Sequence, residues 1–313
     1  MVREIVVYRP VHILLTVGMV FLSLGVVVAQ SPTSTPAGDA AAMVARLEQV
    51  PIFENFDSPH LVEIFRLGQR LGNRADVFTT VGDSNTTNGD FLRPIGREPN
   101  DCEFGGYEAL WETVEHFSVA PRPNQRNSFT NDSAAAEMGF STSSVLDPFW
   151  AEPTLCERNE NPLSCEYRLV KPSVAIILLG QIDINYGGPA PVEQFRANME
   201  RIAQTSLEQG IIPVLNTIVF LPERDVWSLS MEYNMAVLDI VEQYDIPLIN
   251  LWRAVQSLPA SGIGPDRSHL RAVVGKFCSF DGSETEIGGT LRNLLTLQAL
   301  DMLRRTVLDP LDG

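Results

Sequence analysis

Positive charge is scarce in this 313-residue chain: Lys and Arg number 23 against 39 Asp and Glu, a net charge of −16. No basic run occurs, and a phosphate-binding face needs one. Nucleic acid and anionic membrane are therefore excluded as main partners. Cysteine is sparse as well. The four residues Cys102, Cys156, Cys165 and Cys278 have no zinc-type spacing. With only four histidines, imidazole chemistry has few places to occur. No internal repeat is visible, which argues against a repeat architecture.

What is present begins with a leader. Arg3 and Arg9 precede an apolar run from Ile13 to Val28, and Val27-Val28-Ala29 fits a small-residue cleavage site. Residues 1–29 therefore read as a secretory signal, the alternative being an uncleaved membrane anchor. Either one puts the remaining chain outside the cytoplasm. No cysteine follows the apolar run directly, so a lipid anchor there is not expected. Residues 30–42, rich in Ser, Thr, Pro and Ala, read as a flexible linker, and residues 43–313 as one domain.

Within that domain, strand and helix patterns alternate. Apolar helical spacing covers Met43–Gln49, Ser58–Leu71, Tyr107–Phe117, Val192–Gln209, Ser228–Tyr244 and Ile287–Leu308. Strands are expected at Val77–Val81, Val174–Leu179, Ile211–Thr217 and Ile246–Asn250, with a short one at Asn127–Asn131. Val174–Leu179 is six apolar residues in a row, as a strand covered on both faces requires. The alternation predicts an α/β fold, a three-layer α/β/α sandwich with a central parallel sheet, flavodoxin-like in outline.

Two short motifs carry chemistry. Val77–Val81 runs directly into Gly82-Asp83-Ser84, which holds a hydroxyl at the carboxyl end of a strand, where open α/β sheets place ligands. Far downstream, Asp266-Arg267-Ser268-His269 puts a carboxylate within one local turn of an imidazole. His12 lies in the leader, and His60 and His116 sit in helical patterns; Asp57 also stands three residues before His60, but at a helix start, where Asp57 or Ser58 reads as the cap. Serine, histidine and aspartate are the parts of a nucleophilic hydrolase. The α/β-hydrolase elbow Gly-x-Ser-x-Gly is absent, since Thr86 follows Ser84 by two.

With these motifs the chain resembles the SGNH (GDSL-type) hydrolase family. The matching residues are Gly82-Asp83-Ser84, Gly139 within Glu137-Met138-Gly139-Phe140-Ser141, Gly180-Gln181-Ile182-Asp183, and Asp266-Arg267-Ser268-His269, spanning nearly all of the chain after the leader. The resemblance implies a serine esterase in which Ser84 is the nucleophile, His269 the base and Asp266 its orienter. The backbone N–H groups of Ser84 and Gly139 would donate to the oxyanion. The family's third block carries an asparagine whose amide is a further donor. Here Ile182 takes that place, and losing one such donor costs about 100- to 1,000-fold in turnover. Gln181 or Asn185 are the neighbouring amides that could replace it. Asp83 is expected to brace the turn, with Asn85 and Asp183 in positioning roles at most.

No metal or organic cofactor is expected. The polar loops carry Asn88, Arg93, Asn127 and Ser141 and favour a small acyl group on a polar carrier, such as an acetylated sugar. Phe149, Trp150 and Tyr186 are aromatic candidates for the cleft. Two other functions are open: a non-catalytic carbohydrate-binding domain that kept the fold and lost the oxyanion asparagine, or an acyltransferase. An even cysteine count in an exported chain favours two disulfides. Cys156 and Cys165 flank a short loop with Asn159, Asn161 and Pro162 that can close on itself. Among three pairings, Cys156–Cys165 with Cys102–Cys278 is the expected one.

Overall fold

A computed structural model describes residues 37–99, 101–185 and 190–309. The expected leader, the first part of the expected linker, and Tyr186 lie outside the described residues. The elements follow in the order α1 (Ala37–Gln49), β1 (Phe53–Glu54), α2 (His60–Leu71), β2 (Arg74–Gly82), α3 (Ser84–Thr87), α4 (Trp111–His116), α5 (Pro162–Val170), β3 (Pro172–Leu178), α6 (Gln181–Asn185), α7 (Val192–Glu208), β4 (Ile212–Asn216), α8 (Trp227–Tyr244), β5 (Leu248–Ile249), α9 (Leu251–Val255) and α10 (Gly288–Leu303).

The sheet order is β1-β5-β4-β3-β2. The four strands β2 to β5 are parallel, and β1 adds an antiparallel edge. In register, Phe78 faces Val174 and Gly82 faces Leu178, while Ile176 faces Val214. Side chains of β3 alternate between two cores. Val174 and Ile176 pack with Leu61 and Phe65 of α2 and Leu297 of α10. Ala175 and Ile177 pack with Tyr167 of α5, Phe195 of α7 and Met231 of α8. Helices thus cover both faces, giving the three-layer α/β/α sandwich.

Several boundaries differ from the sequence reading. Helix α1 starts at Ala37, inside the expected linker. The run Ala40-Ala41-Ala42 is strongly helix-forming, and Leu47 at its far end is fully buried. Asn127–Asn131 is not a strand. Asn127 caps a 3-10 turn over Ser128–Thr130, its Oδ1 accepting from the Thr130 N–H at 3.0 Å. This is the local bond that asparagine offers in place of a ladder. Helix α5 was not expected, because proline and cysteine interrupt its apolar pattern. Asn161 caps it and Pro162 opens its first turn.

One packing detail sets up the site. β2 is an edge strand, and the segment 128–137 covers its open side. Phe78 N–H donates to Ser128 Oγ at 3.2 Å, Gly82 N–H to the Ala135 carbonyl at 3.2 Å, and Glu137 N–H to the Gly82 carbonyl at 3.2 Å. The buried Glu166 of α5 anchors that segment. It accepts from Thr79 Oγ1, from Asn131 Nδ2 at 2.8 Å and from Ala134 N–H at 2.8 Å. Burial raises its pKa despite these bonds. The residues after 137 are thereby delivered beside the end of β2.

Candidate active site

Strand β2 ends at Gly82, where a side chain would be impossible. An added Cβ would come within 2.2 Å of Thr86 Oγ1 and 2.8 Å of the Leu178 carbonyl oxygen. The chain turns there and starts α3 at Ser84. Asp83 is buried and accepts from the Asn85 N–H at 2.9 Å, so it braces the turn. Burial, opposed by that bond and by the charge of Arg292, pushes its carboxyl up to about 6.

The second half of the site comes from the loop before α10. Ile263 and Leu270 pair in antiparallel fashion. Gly264 N–H donates to the His269 carbonyl at 2.8 Å, and Arg267 N–H to the Gly264 carbonyl at 2.9 Å. Asp266 and His269 sit on this tight turn. Asp266 Oδ1 accepts from the N–H groups of Ser268 and His269, both at 3.1 Å. Its Oδ2 lies 2.7 Å from His269 Nδ1. Desolvation raises the Asp266 pKa, but the bonds from the His269 side chain and the two backbone N–H groups outweigh it, and the net shift is downward.

Ser84, His269 and Asp266 converge. Ser84 Oγ lies 2.8 Å from His269 Nε2, across 185 residues of sequence. Gly139 lines the same cleft and has φ +89°, a conformation that favours glycine, although a Cβ would meet nothing within 4 Å there. Among the described residues, no hydrogen bond engages the backbone N–H of Ser84 or of Gly139. The Gly139 loop is tied to the exit of β3 by buried Asp183, which accepts from Thr142 N–H at 3.0 Å and from Thr142 Oγ1. Burial raises the Asp183 pKa, with the Thr142 bonds opposing.

The amide candidates are engaged elsewhere. Gln181 lines the cleft, but its Nε2 donates to the Ser268 carbonyl and its Oε1 accepts from Asn85 Nδ2. Asn85 Oδ1 in turn accepts from Leu270 N–H at 3.3 Å. Gln181 therefore links the Ser84 turn to the His269 turn. Asn185 Oδ1 accepts from Arg224 at 2.8 Å, and the same guanidinium donates to the Arg267 carbonyl at 3.1 Å. Asn185 is not among the residues lining the cleft.

Of the polar loop residues, Asn88 faces the cleft. Asn127 is a buried cap, Arg93 pairs with Asp132, and Ser141 bonds to Ser144 at 3.0 Å. Arg292 of α10 was not singled out in the sequence. It is buried and donates to the Asn85 carbonyl at 2.6 Å and to Thr86 Oγ1 at 3.3 Å, with its guanidinium 3.7 Å from the Phe91 ring centre. Desolvation lowers its pKa to about 10, against the charges of Asp83 and Asp90. A lone Arg-Asn pair inside an apolar helix was the available signal.

Two disulfides are present. Cys156–Cys165 closes a nine-residue separation, and Cys102–Cys278 joins the loop after Ser84 to the segment after His269 with Cα atoms 5.0 Å apart. Glu103 N–H donates to the Cys278 carbonyl at 3.2 Å, so the bridge lies within paired backbone.

No protein-family model and no curated protein matches the chain. Solved structures of GDSL-type and acetylxylan esterases are similar to it. A GDSL-like lipase from Bacteroides thetaiotaomicron is 12% identical with a TM-score of 0.45, over 77% of this chain and 98% of that one. A psychrotrophic esterase from Pseudoalteromonas sp. is 13% identical with a TM-score of 0.43, over 74% of this chain and 99% of that one. An acetylxylan esterase from Geobacillus stearothermophilus is 14% identical with a TM-score of 0.42, over 73% and 93%. Similarity this low carries no argument about activity, which must rest on the geometry of this chain.

Proposed function

We propose that this protein is an exported serine hydrolase that cleaves carboxylic esters. One observation carries the reading: the unbroken relay from Ser84 Oγ to His269 Nε2 at 2.8 Å and from His269 Nδ1 to Asp266 Oδ2 at 2.7 Å. His269 takes the hydroxyl proton as Ser84 attacks the ester carbonyl. Asp266 fixes the imidazole tautomer and stabilises its protonated form. The oxyanion that forms is met by the N–H groups of Ser84 and Gly139. His269 then gives its proton to the departing alcohol. Water attacks the acyl-enzyme with His269 again as base, which releases the acid and restores Ser84.

Ile182 leaves two backbone donors where a third, amide donor would stand, since the Gln181 amide is engaged by Ser268. Turnover below that of a three-donor site by about 100- to 1,000-fold follows. A carbohydrate-binding domain without catalysis would need neither an aligned relay nor unengaged N–H groups, so the geometry favours the hydrolase. Attack by a sugar hydroxyl in place of water would make the same site an acyltransferase, a product difference visible by mass spectrometry. A fluorophosphonate probe tests the central reading. It should label Ser84 in the native protein and leave Ser84→Ala unlabelled, and the variant should lose about four to six orders of magnitude in turnover of a p-nitrophenyl ester. An unlabelled native protein with no esterase activity refutes the proposal.

A further inference from the structure

Resting on the Ser84 reading, the walls of the cleft identify the ester. The cleft measures ≈ 470 Å³ and is lined by Ser84, Gly139 and His269 together with Met138, Ile182 and Asn88. That volume lies in the range of about 300–1,000 Å³ that holds drug-sized ligands, far more than an acetyl group fills.

The polarity of the cleft is divided. Beside Gly139 stand Met138, which is 75% exposed, and Ile182. Two residues past Met138, the buried Phe140 ring lies 6.3 Å from that of Trp150, and the Trp150 ring lies 5.5 Å from that of Phe149. Trp150 is 50% and Phe149 82% exposed. These two rings do not line the cleft; its apolar side chains are those of Met138 and Ile182. Met is also the side chain best able to adapt to a flexible chain.

On the His269 flank the lining is polar. Asn88 borders the cleft and also an adjoining hollow lined by Leu270, Gly289 and Arg292. Its side-chain amide, only half-buried, makes no hydrogen bond among the described residues.

Chemistry orients the ester between these walls. The departing alcohol must take its proton from His269, so it lies on the flank of His269 and Asn88. The acyl chain then extends the other way, past Gly139. We propose that the protein hydrolyses amphiphilic esters, with an acyl chain longer than acetyl lying on Ile182 and Met138 and a hydroxyl-bearing alcohol facing Asn88. The isoleucine in the third block thus exchanges an oxyanion donor for an acyl-binding surface.

The test uses the whole protein and p-nitrophenyl esters from acetate to dodecanoate, alongside fluorophosphonate labelling. The expected kcat/KM rises about fourfold per added methylene over the first several carbons. Ile182→Asn should lower the hexanoate-to-acetate ratio about tenfold, and Met138→Ser should lower it by less. With hexanoyl esters of glycerol and of p-nitrophenol, Asn88→Ala should raise KM about three- to tenfold more for the glycerol ester. Labelling of Ser84 with a flat or falling chain-length profile overturns the acyl assignment and leaves the hydrolase standing. An equal Asn88→Ala effect on both esters overturns the alcohol assignment. A native protein that does not label overturns the hydrolase reading and this inference together.

Discussion

The two halves of the relay are held in opposite ways. Ser84 and Asp83 are 8% and 1% exposed, at the end of a sheet strand and backed by a buried arginine. The side chains of His269 and Asp266 are 33% and 53% exposed, on a turn kept in place by hydrogen bonds, with Cys278 of the Cys102–Cys278 bridge further along the same segment. Ser84, the proposed nucleophile, is thus placed by the core, while His269, the proposed base, is placed by a few polar contacts near solvent. Polar contacts of that kind contribute about 1 kcal/mol each to stability, yet small displacements of a catalytic group cost far more in rate. Substitutions in the His269 turn are therefore expected to damage rate more than stability, and substitutions around Ser84 to damage both.

The sharpest way to break that contrast is Asp266→Asn. The carboxylate is half exposed, so its removal should leave the fold intact. It also removes the acceptor that fixes the His269 tautomer, and turnover should fall by roughly 10⁴-fold. Steady-state kinetics with a short p-nitrophenyl ester and a thermal melt measure the two sides. A variant that loses stability in proportion to activity would show that the turn depends on this carboxylate for folding.

Next in size is the bridge between the halves. Cys102 and Cys278 are 176 residues apart, and closing so long a loop contributes about 5 kcal/mol in the chain-entropy limit. The Cys156–Cys165 bridge closes a short loop and contributes at most about 3 kcal/mol. Replacing each pair by serine and comparing urea midpoints ranks them. Loss of Cys102–Cys278 should also lower activity at temperatures where the protein stays folded, because Cys278 lies between the His269 turn and α10. If losing Cys156–Cys165 affects activity equally, the effect is general and not carried through the His269 turn.

A smaller effect is expected from Gln181→Leu. Its amide joins Asn85 to the Ser268 carbonyl, so the change cuts the direct link between the two turns. Turnover should drop roughly 10- to 100-fold, with stability lower by about 1–2 kcal/mol and KM little altered. An unchanged kcat would show that Arg224 and the Ile263–Leu270 pairing suffice to hold the His269 turn.

The sequence made these halves visible to different degrees. Six apolar residues in a row located β3, and Gly82-Asp83-Ser84 and Asp266-x-x-His269 marked the two ends of the relay, because strand patterning and a local i, i+3 contact are short-range signals. Gln181 stood out as a possible oxyanion donor, and the structure gives it a bridging role instead. Its residue type signals an amide, but the direction of that amide depends on a carbonyl 87 residues away. Arg292 left a weak trace, since a single cation in an apolar helix acquires meaning only when the Asn85 carbonyl arrives from another element. The loop polarity overstated the number of free polar groups for a related reason. Asn127 caps its own turn and Arg93 pairs with Asp132, so composition counted groups that tertiary structure had already engaged.

The smallest effect lies in the buried half and appears in stability. Burial holds the Asp83 carboxyl at about 6, against an ordinary value of 3.8. The folded chain therefore keeps this proton to a higher pH than the unfolded chain does. The stability that follows is present in full below about pH 4 and is lost as pH rises through about 6. A shift of about 2 units corresponds to about 3 kcal/mol as an upper figure, reduced as Arg292 adjusts to the new charge. Asp83→Asn keeps an oxygen to accept from the Asn85 N–H and has nothing to ionise. Urea unfolding at pH 4 and pH 7.5 should then show the native protein losing about 1–3 kcal/mol more than the variant across that interval. Other carboxylates with depressed values, such as Asp239 and Asp301, act in the opposite direction and cancel in the difference. Identical pH slopes for the two proteins would mean that Asp83 ionises as freely folded as unfolded. The Ser84 turn would then not be the dry, core-held half of the site that its burial describes.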